Sequence, residues 1–241
     1  MSERRKHYIP LESNPEVFTQ LIHTLGVSSA LEFTDVLSLD EPDLIAMMPR
    51  PVLALTLAFP APGEHYYKKL EEQNRHMQTY TGSGDGEDVI WYKQTIGNAC
   101  GLYAILHSIS NGPAREFVTP DSDFAQLLAK ITPLAPEERA LALEDSKEVE
   151  AAHLHAGKSG VTTAPDPKDS VDYHYLAFVK SHKNGRIYQL DGMRKGPVDT
   201  GVAVADGEDI FGEAGRGLVK QLIEQENSVG FSLMALVRTT D

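Results

Sequence analysis

The spacing of apolar and polar positions predicts helices and strands in irregular alternation along the chain. Apolar residues at helical spacing, or helix-forming charged residues, predict helices at 14–25, 40–48, 63–80, 98–110, 121–132, 136–150 and 215–226. Alternating or continuous apolar runs predict strands at 31–36, 52–59, 89–93, 173–179, 186–190 and 231–237, of which 52–59 is apolar throughout and predicts a buried central strand. The irregular order favours an α+β fold with a central, mainly antiparallel sheet flanked by helices over a βαβ repeat.

Residues 147–170 have no hydrophobic period and are punctuated by glycine and proline. The pattern predicts an unstructured connection of roughly twenty residues, which inside a compact domain is usually functional or disordered. A plain surface linker is an equally good interpretation of this composition. Residues 1–9, with their basic start, are expected to be mobile until something docks on them.

The segment 94–111, QTIGNACGLYAILHSISN, contains the only cysteine of the chain. Asn98 is predicted to cap the helix, which places Cys100 in its first turn. Free backbone N–H groups and the positive end of the helix dipole favour an anion there, so the position should stabilise a thiolate. Gln94 ends a predicted strand just before this helix, where its side-chain amide can donate to a developing oxyanion. By residue type alone, however, a lone cysteine in an apolar helix is more often a small buried hydrophobe.

A candidate base lies in the predicted hairpin of strands 173–179 and 186–190, which an Asn-Gly turn connects. His174 lies near the start of the first strand and Asp191 follows the second, so antiparallel pairing can bring the two side chains together. A carboxylate that orients an imidazole, which in turn serves a thiolate, is a Cys-His-Asp triad. Pairing that slipped by one residue would turn His174 to the opposite face of the sheet.

His107 is the other histidine near the cysteine in sequence. It lies two helical turns after Cys100, about 10 Å along the helix axis, which is too far for a base. We interpret His107 as a hydrogen-bonded core residue. A histidine in a strand, as His174 is predicted to be, is by type alone also more often a packing or surface residue.

Composition limits the partners. The net charge of −13 and the pI of about 5.1 disfavour nucleic acid and favour a basic protein or peptide. The 241 residues suffice for one large domain or two small ones. A single cysteine excludes an internal disulfide framework and fits a reducing compartment. The sequence has neither an apolar run of membrane-spanning length nor a signal-peptide pattern, so we expect no membrane association.

No metal or cofactor motif rises above chance. His153 and His155 form an HxH pair without a third ligand in view. The Gly-Lys-Ser at 157–159 lacks the glycine spacing and the preceding strand of a phosphate-binding loop. We therefore expect no metal and no cofactor.

At several separate places the sequence resembles the ubiquitin C-terminal hydrolase family of cysteine peptidases. The resemblance rests on QTIGNACG, on YHY at 173–175, on LDG at 190–192 and on the opening segments IPLESNPEVF and LEFTDVLSLDEPDLIAMMPRPVLALTLAFP. It extends from residue 8 to residue 237. The Gln-to-Cys spacing within QTIGNACG is highly specific.

The resemblance implies a site and a fold. Cys100 would be the nucleophile, His174 the general base and acid, Asp191 the residue that orients the histidine, and Gln94 the oxyanion donor. The fold would be that of a papain-like cysteine peptidase with a knotted backbone, in one catalytic domain over 1–241. Residues of about 147–170 would form the family's crossover loop above the active-site cleft. The family's ubiquitin-contact positions correspond to three acidic residues: Glu12, Glu16 and Asp35.

The implied activity is thiol-dependent hydrolysis of ester, thioester, amide or peptide bonds at the C-terminal glycine of ubiquitin, with release of small or unfolded adducts. We expect the protein to act as a monomer in the cytoplasm, or in the nucleus as well. One alternative is a module that binds ubiquitin with little turnover. Another is a peptidase for a ubiquitin-like modifier.

Overall fold

A six-stranded sheet is the framework of the computed structural model, which describes residues 6–61, 63–169, 171–226 and 230–239. The strands are β1 (Leu31–Asp35), β2 (Val52–Pro60), β3 (Tyr173–Lys180), β4 (Arg186–Leu190), β5 (Val198–Ala203) and β6 (Ser232–Arg238). They lie in the order β1-β6-β2-β3-β4-β5, and every neighbouring pair is antiparallel. The predicted α+β class with a mainly antiparallel sheet is confirmed.

Helices pack on both faces of this sheet. They are α1 (Pro15–Leu25), α2 (Pro42–Ala46), α3 (Gly63–Arg75), α4 (Cys100–Ser110), α5 (Asp123–Ile131), α6 (Pro136–Glu144), α7 (Lys147–Ser159) and α8 (Glu213–Gln225). Ala54 and Ala58 of β2 face the apolar core that includes α1 and α4, whereas Leu55 and Leu57 face a second core that includes α3 and α8. The prediction of a buried central strand is confirmed. None of the described helices is long and apolar enough to cross a membrane.

Small side chains in the sheet let α4 lie close to β2 and β3. Ala54 and Ala58 of β2 and Ala177 of β3 belong to the core beneath the helix. Thr56 Oγ1 lies 3.3 Å from Ser108 Oγ of α4 in the buried contact. This close packing brings the start of α4, with Cys100, next to the strand that carries His174.

The segment 89–93 is buried as far as Tyr92, but it does not join the sheet, so its prediction as a strand is wrong. Side chains of the neighbouring helix satisfy its backbone instead. Asn111 accepts from Ile90 N at 2.7 Å and donates to Ile90 O at 2.9 Å, and His107 Nε2 accepts from Tyr92 N at 3.0 Å. Burial lowers the pKa of His107 to about 3, so the ring stays neutral and can accept. His107 is thus the hydrogen-bonded core residue that the sequence predicted.

Helix α7 corrects the prediction of an unstructured connection over 147–170. Ser146 caps the helix by accepting a hydrogen bond from Val149 N at 3.3 Å. The buried positions of α7 have helical spacing: Val149, Ala152, His153 and Ala156. Because this stripe consists of small residues and a histidine, hydrophobic periodicity did not reveal it. Only 160–172 remains as the connection to β3, and the helix predicted at 136–150 ends at Glu144.

Two other elements differ from prediction. Strand β5 was not predicted, because Asp199 and Gly201 interrupt the β-branched residues of VDTGVA; its residues alternate between partly buried and exposed at the sheet edge. Helix α3 ends at Arg75, shorter than the predicted 63–80.

Residues 6–9 are docked, so the expectation of mobility is wrong for them; residues 1–5 lie outside the described residues. Tyr8 N donates to Gly97 O at 2.9 Å, and Gly97 N donates to Lys6 O at 2.8 Å. The Lys6 ammonium also contacts Glu150 of α7 at 2.7 Å. The docked segment therefore connects the chain just before Cys100 with α7.

A buried ion pair between Arg139 of α6 and Glu87 holds the segment that leads to the cysteine helix. Both side chains are almost completely buried, and Arg139 Nη1 lies 3.0 Å from Glu87 Oε2. The guanidinium also donates to the carbonyl oxygens of Trp91, Ile131, Thr132 and Leu134. The charge and the donors of this buried arginine are therefore well satisfied.

We expect Arg139→Met to lower the free energy of unfolding by about 3–5 kcal/mol, because it leaves the Glu87 carboxylate buried without its cation. Arg186→Met is the matched control, since Arg186 pairs with Asp199 at the surface and its replacement should lower the free energy of unfolding far less. Urea denaturation of both variants measures the difference. Equal losses would contradict the structural role assigned to Arg139.

Candidate active site

Cys100 is the first residue of α4 and is 7% exposed. Ala99, not Asn98, occupies the capping position, and no described side chain caps the helix. The prediction of an Asn98 cap is wrong because Asn98 adopts a left-handed conformation, with φ of 57°. Its side-chain amide instead donates to Pro167 O at 2.9 Å and to Asp169 O at 2.7 Å. The positive end of the helix dipole is left without a side-chain acceptor beside the sulfur.

Gln94 is fixed beside Cys100 from two directions. Its backbone N donates to Gly192 O at 2.8 Å, and its Nε2 donates to Ile96 O at 3.1 Å. The contact needs a glycine at position 192, because a Cβ there would lie 2.8 Å from Gln94 Cβ. An amide nitrogen carries two hydrogens, so one remains for a ligand. Gln94, Cys100 and His174 line one small cavity.

The sheet register brings His174 and Asp191 together. His174 of β3 pairs with Phe59 of β2, and the β3–β4 register aligns Ala177 with Leu190. Asp191 therefore lies diagonally across from His174 on the same face of the sheet. His174 Nε2 lies 2.9 Å from Asp191 Oδ1, and the two side chains are 5% and 2% exposed.

The pair is held in its charged form. Burial alone would lower the pKa of His174, but the charge of Asp191, its hydrogen bond and smaller contributions from Cys100 outweigh burial and raise it to about 10. Burial also opposes ionisation of Asp191, yet the charge and hydrogen bond of His174 bring the pKa of that carboxyl below its ordinary value. Since Nε2 is bound to Asp191, Nδ1 is the ring nitrogen that remains for Cys100, which lines the same small cavity.

Three contacts around Asp191 were not predicted from the sequence. Its Oδ1 also accepts from Met193 N at 2.9 Å, its backbone O accepts from Trp91 Nε1 at 3.0 Å, and its Oδ2 lies 3.5 Å from the Tyr66 hydroxyl. The only available signals were weak. Trp91 is the single tryptophan, and Tyr66 belongs to a pair of tyrosines in an otherwise charged helix.

A cleft of about 610 Å³ opens on the other side of Cys100. Leu11, Tyr175 and Phe231 contribute to its walls, together with α7 and residues of the 160–172 loop. Glu12 ties this loop down, accepting from Thr162 N at 3.0 Å and from Thr162 Oγ1 at 2.7 Å. These two hydrogen bonds lower the pKa of Glu12. With the Asn98 contacts, they hold the loop across the cleft.

The three acidic residues predicted to contact ubiquitin lie in different parts of the structure. Glu12 lines the cleft. Glu16 is exposed in the first turn of α1, beside a separate groove that also includes Glu32. Asp35 is exposed at the end of the edge strand β1. The structure thus places only Glu12 beside Cys100.

The described residues contain no group of three or more His, Cys, Asp or Glu side chains that could hold a metal ion. The two histidines of the HxH pair contact different groups. His153 Nε2 lies 2.7 Å from Ile9 O, and His155 Nε2 lies 3.0 Å from Gln20 Nε2.

Comparison with known proteins identifies the family. The family model described as ubiquitin carboxyl-terminal hydrolase, family 1, matches residues 8–224. The chain belongs to this family. It is 39% identical over 232 residues to a ubiquitin carboxyl-terminal hydrolase of Aplysia californica, which covers 95% of this chain and 99% of the relative. A probable ubiquitin carboxyl-terminal hydrolase of Dictyostelium discoideum is 35% identical over 238 residues, which cover 98% of this chain and 90% of the relative.

Among solved structures, the Trichinella spiralis UCH37 catalytic domain bound to ubiquitin vinyl methyl ester has a similar fold. The TM-score is 0.72 at 24% identity, covering 99% of both chains. A knotted path of the ubiquitin carboxyl-terminal hydrolase backbone stays a prediction for this chain.

Proposed function

We propose that this protein hydrolyses the bond that follows the C-terminal glycine of ubiquitin, with Cys100 as nucleophile. The supporting observation is that Cys100 lines a small cavity together with His174 of the buried His174–Asp191 ion pair, and also lines a cleft of about 610 Å³. Membership of the ubiquitin carboxyl-terminal hydrolase family gives the substrate class. The Trichinella relative is bound to a ubiquitin adduct, which supports ubiquitin as the partner.

In the first step, the Cys100 thiolate, whose proton His174 holds, attacks the carbonyl carbon of the glycine, and the carbonyl oxygen takes up the electron pair. The free Gln94 amide hydrogen and the Cys100 backbone N–H stabilise this oxyanion. The tetrahedral intermediate then collapses and the C–N bond breaks. His174 passes its Nδ1 proton to the leaving amine, which leaves a thioester on Cys100.

In the second step, water attacks the thioester while neutral His174 accepts its proton. The C–S bond breaks, which returns Cys100 to the thiolate, and ubiquitin leaves as a carboxylic acid that loses its proton to solvent. The proton taken from water returns the histidine to its cationic state. Asp191 keeps one ring nitrogen occupied throughout, so the other faces the reacting atoms. The raised pKa of His174 means that the resting enzyme holds the proton needed for the first leaving group.

The 160–172 loop acts as the filter for leaving groups in this proposal. Glu12 holds the loop at Thr162, and Asn98 holds it at Asp169. A ubiquitin tail must pass beneath it, so small or unfolded adducts should be released in preference to folded ones. Because Glu12 is already bound to Thr162, a contact with ubiquitin would require this hydrogen bond to open. Ubiquitin contacts at Glu16 and Asp35, a single domain over 1–241, a monomeric state and a cytoplasmic or nuclear location stay predictions.

Ubiquitin with a fluorogenic C-terminal amide tests the activity. The wild type should release the fluorophore, and Cys100→Ala should lower the rate by about 10⁴-fold or more, because the nucleophile is gone. Binding of ubiquitin to both proteins, measured by calorimetry, is the control for folding of the variant.

Release that persists in Cys100→Ala would contradict the assignment of the nucleophile. Tight binding without release by the wild type would favour a ubiquitin-binding module. Faster release from the same fluorogenic derivative of a ubiquitin-like modifier would favour a peptidase for that modifier.

Loop length should control the size of the released group. We expect a Gly-Ser insertion after Thr163, an exposed position of the loop, to speed release of a folded domain from ubiquitin by about tenfold or more while leaving release of a short peptide unchanged. The same insertion after Asp206, in an exposed turn outside the cleft, is the control. An unchanged ratio of the two products would contradict the filter.

A further inference from the structure

The two oxygens of the Asp191 carboxylate have different partners. Oδ1 accepts from both His174 Nε2 and Met193 N, each at 2.9 Å. Oδ2 faces the hydroxyl of Tyr66 at 3.5 Å. Tyr66 lies on α3, an element that contributes neither the nucleophile nor the base. Its hydroxyl thus approaches the pair from outside the hairpin that holds it.

The ring of Tyr66 also covers the imidazole. Its centroid lies 5.3 Å from that of His174, with the planes inclined by 40°. Phe59 packs edge-on against both rings, with centroids 5.8 Å from each. Tyr66 is only 8% exposed. The two aromatic rings therefore exclude water from His174, and an aromatic face near a cation is attractive.

Burial, followed by the charge of Asp191, raises the pKa of Tyr66 far above its ordinary value. The hydroxyl therefore keeps its proton at every pH at which the enzyme is folded and active. A protonated hydroxyl beside a carboxylate acts as the donor. The contact does not depend on the titration of the tyrosine.

We propose that Tyr66 is a positioning residue for the reaction: its hydroxyl fixes the rotation of the Asp191 carboxylate, and its ring keeps the His174 imidazole dry. The bond that turns the carboxylate has a broad torsional minimum, so one hydrogen-bonded oxygen fixes the group less well than two. Without the hydroxyl, Oδ2 becomes a buried acceptor that has lost its donor. Rotation of the carboxylate would then misdirect the ring nitrogen that faces Cys100.

Tyr66→Phe removes the hydroxyl and keeps the ring. With the fluorogenic ubiquitin amide, kcat should fall roughly three- to tenfold while KM stays unchanged, because the hydroxyl acts on the pair and not on ubiquitin binding. Tyr188→Phe is the matched control. It also loses a tyrosine–carboxylate hydrogen bond, 3.1 Å to Asp88, but has no contact with the pair, so its kcat should equal that of the wild type.

A wild-type kcat in Tyr66→Phe would overturn the role of the hydroxyl. Equal falls in Tyr66→Phe and Tyr188→Phe would also overturn it, because they would indicate a general loss of stability. This kinetic arm rests on the proposed function. Absence of release by the wild type would count against that function and not against Tyr66.

A second variant tests the ring without any substrate. In Tyr66→Leu the imidazole loses its aromatic cover and gains water, which relieves the burial that lowers its pKa, so the pKa of His174 should be higher than in the wild type by NMR titration, whereas Tyr66→Phe should keep the wild-type value. Retained amide dispersion in the spectrum controls for folding. An unchanged His174 titration in folded Tyr66→Leu would overturn the role of the ring.

Discussion

The ion pair between His174 and Asp191 is the interaction on which the chemistry proposed at Cys100 depends. Burial by itself would make the imidazole neutral and the carboxylate hard to ionise, but at 2.9 Å each charge stabilises the other. The pair therefore presents a proton to Cys100 at neutral pH. In the proposed reaction this cation supplies the acid that the leaving amine needs.

The rest of the fold keeps this pair and the cysteine in contact. The register of β2, β3 and β4 places the two charged side chains on one face, and small residues beneath α4 bring Cys100 close to β3. Trp91 links helix α6 with the residue that follows β4. Its carbonyl oxygen accepts from buried Arg139 of α6, and its indole donates to the backbone of Asp191. The same buried segment leads directly to Gln94.

Much of the fold and site could be predicted from the sequence because strong local signals were present. Asn14 caps α1 and Gly26 ends it, and the Asn-Gly turn fixed the hairpin that pairs His174 with Asp191. The errors occurred where tertiary contacts replace local signals. Asn111 and His107 substitute for a neighbouring strand at 89–93, a stripe of small residues forms the buried face of α7, and Asn98 bonds to the loop instead of capping α4. Tyr66 could not be found because its partner lies 125 residues away.

NMR titration of His174, in the wild type and in Asp191→Asn, tests the central claim most directly. The wild-type imidazole should remain protonated well above neutral pH, with a pKa of about 10. In the variant the attraction of the carboxylate is gone and burial, which lowers the pKa, dominates, so the midpoint should fall below the ordinary value of 6.5. A wild-type midpoint near 6.5 that Asp191→Asn leaves unchanged would contradict the account.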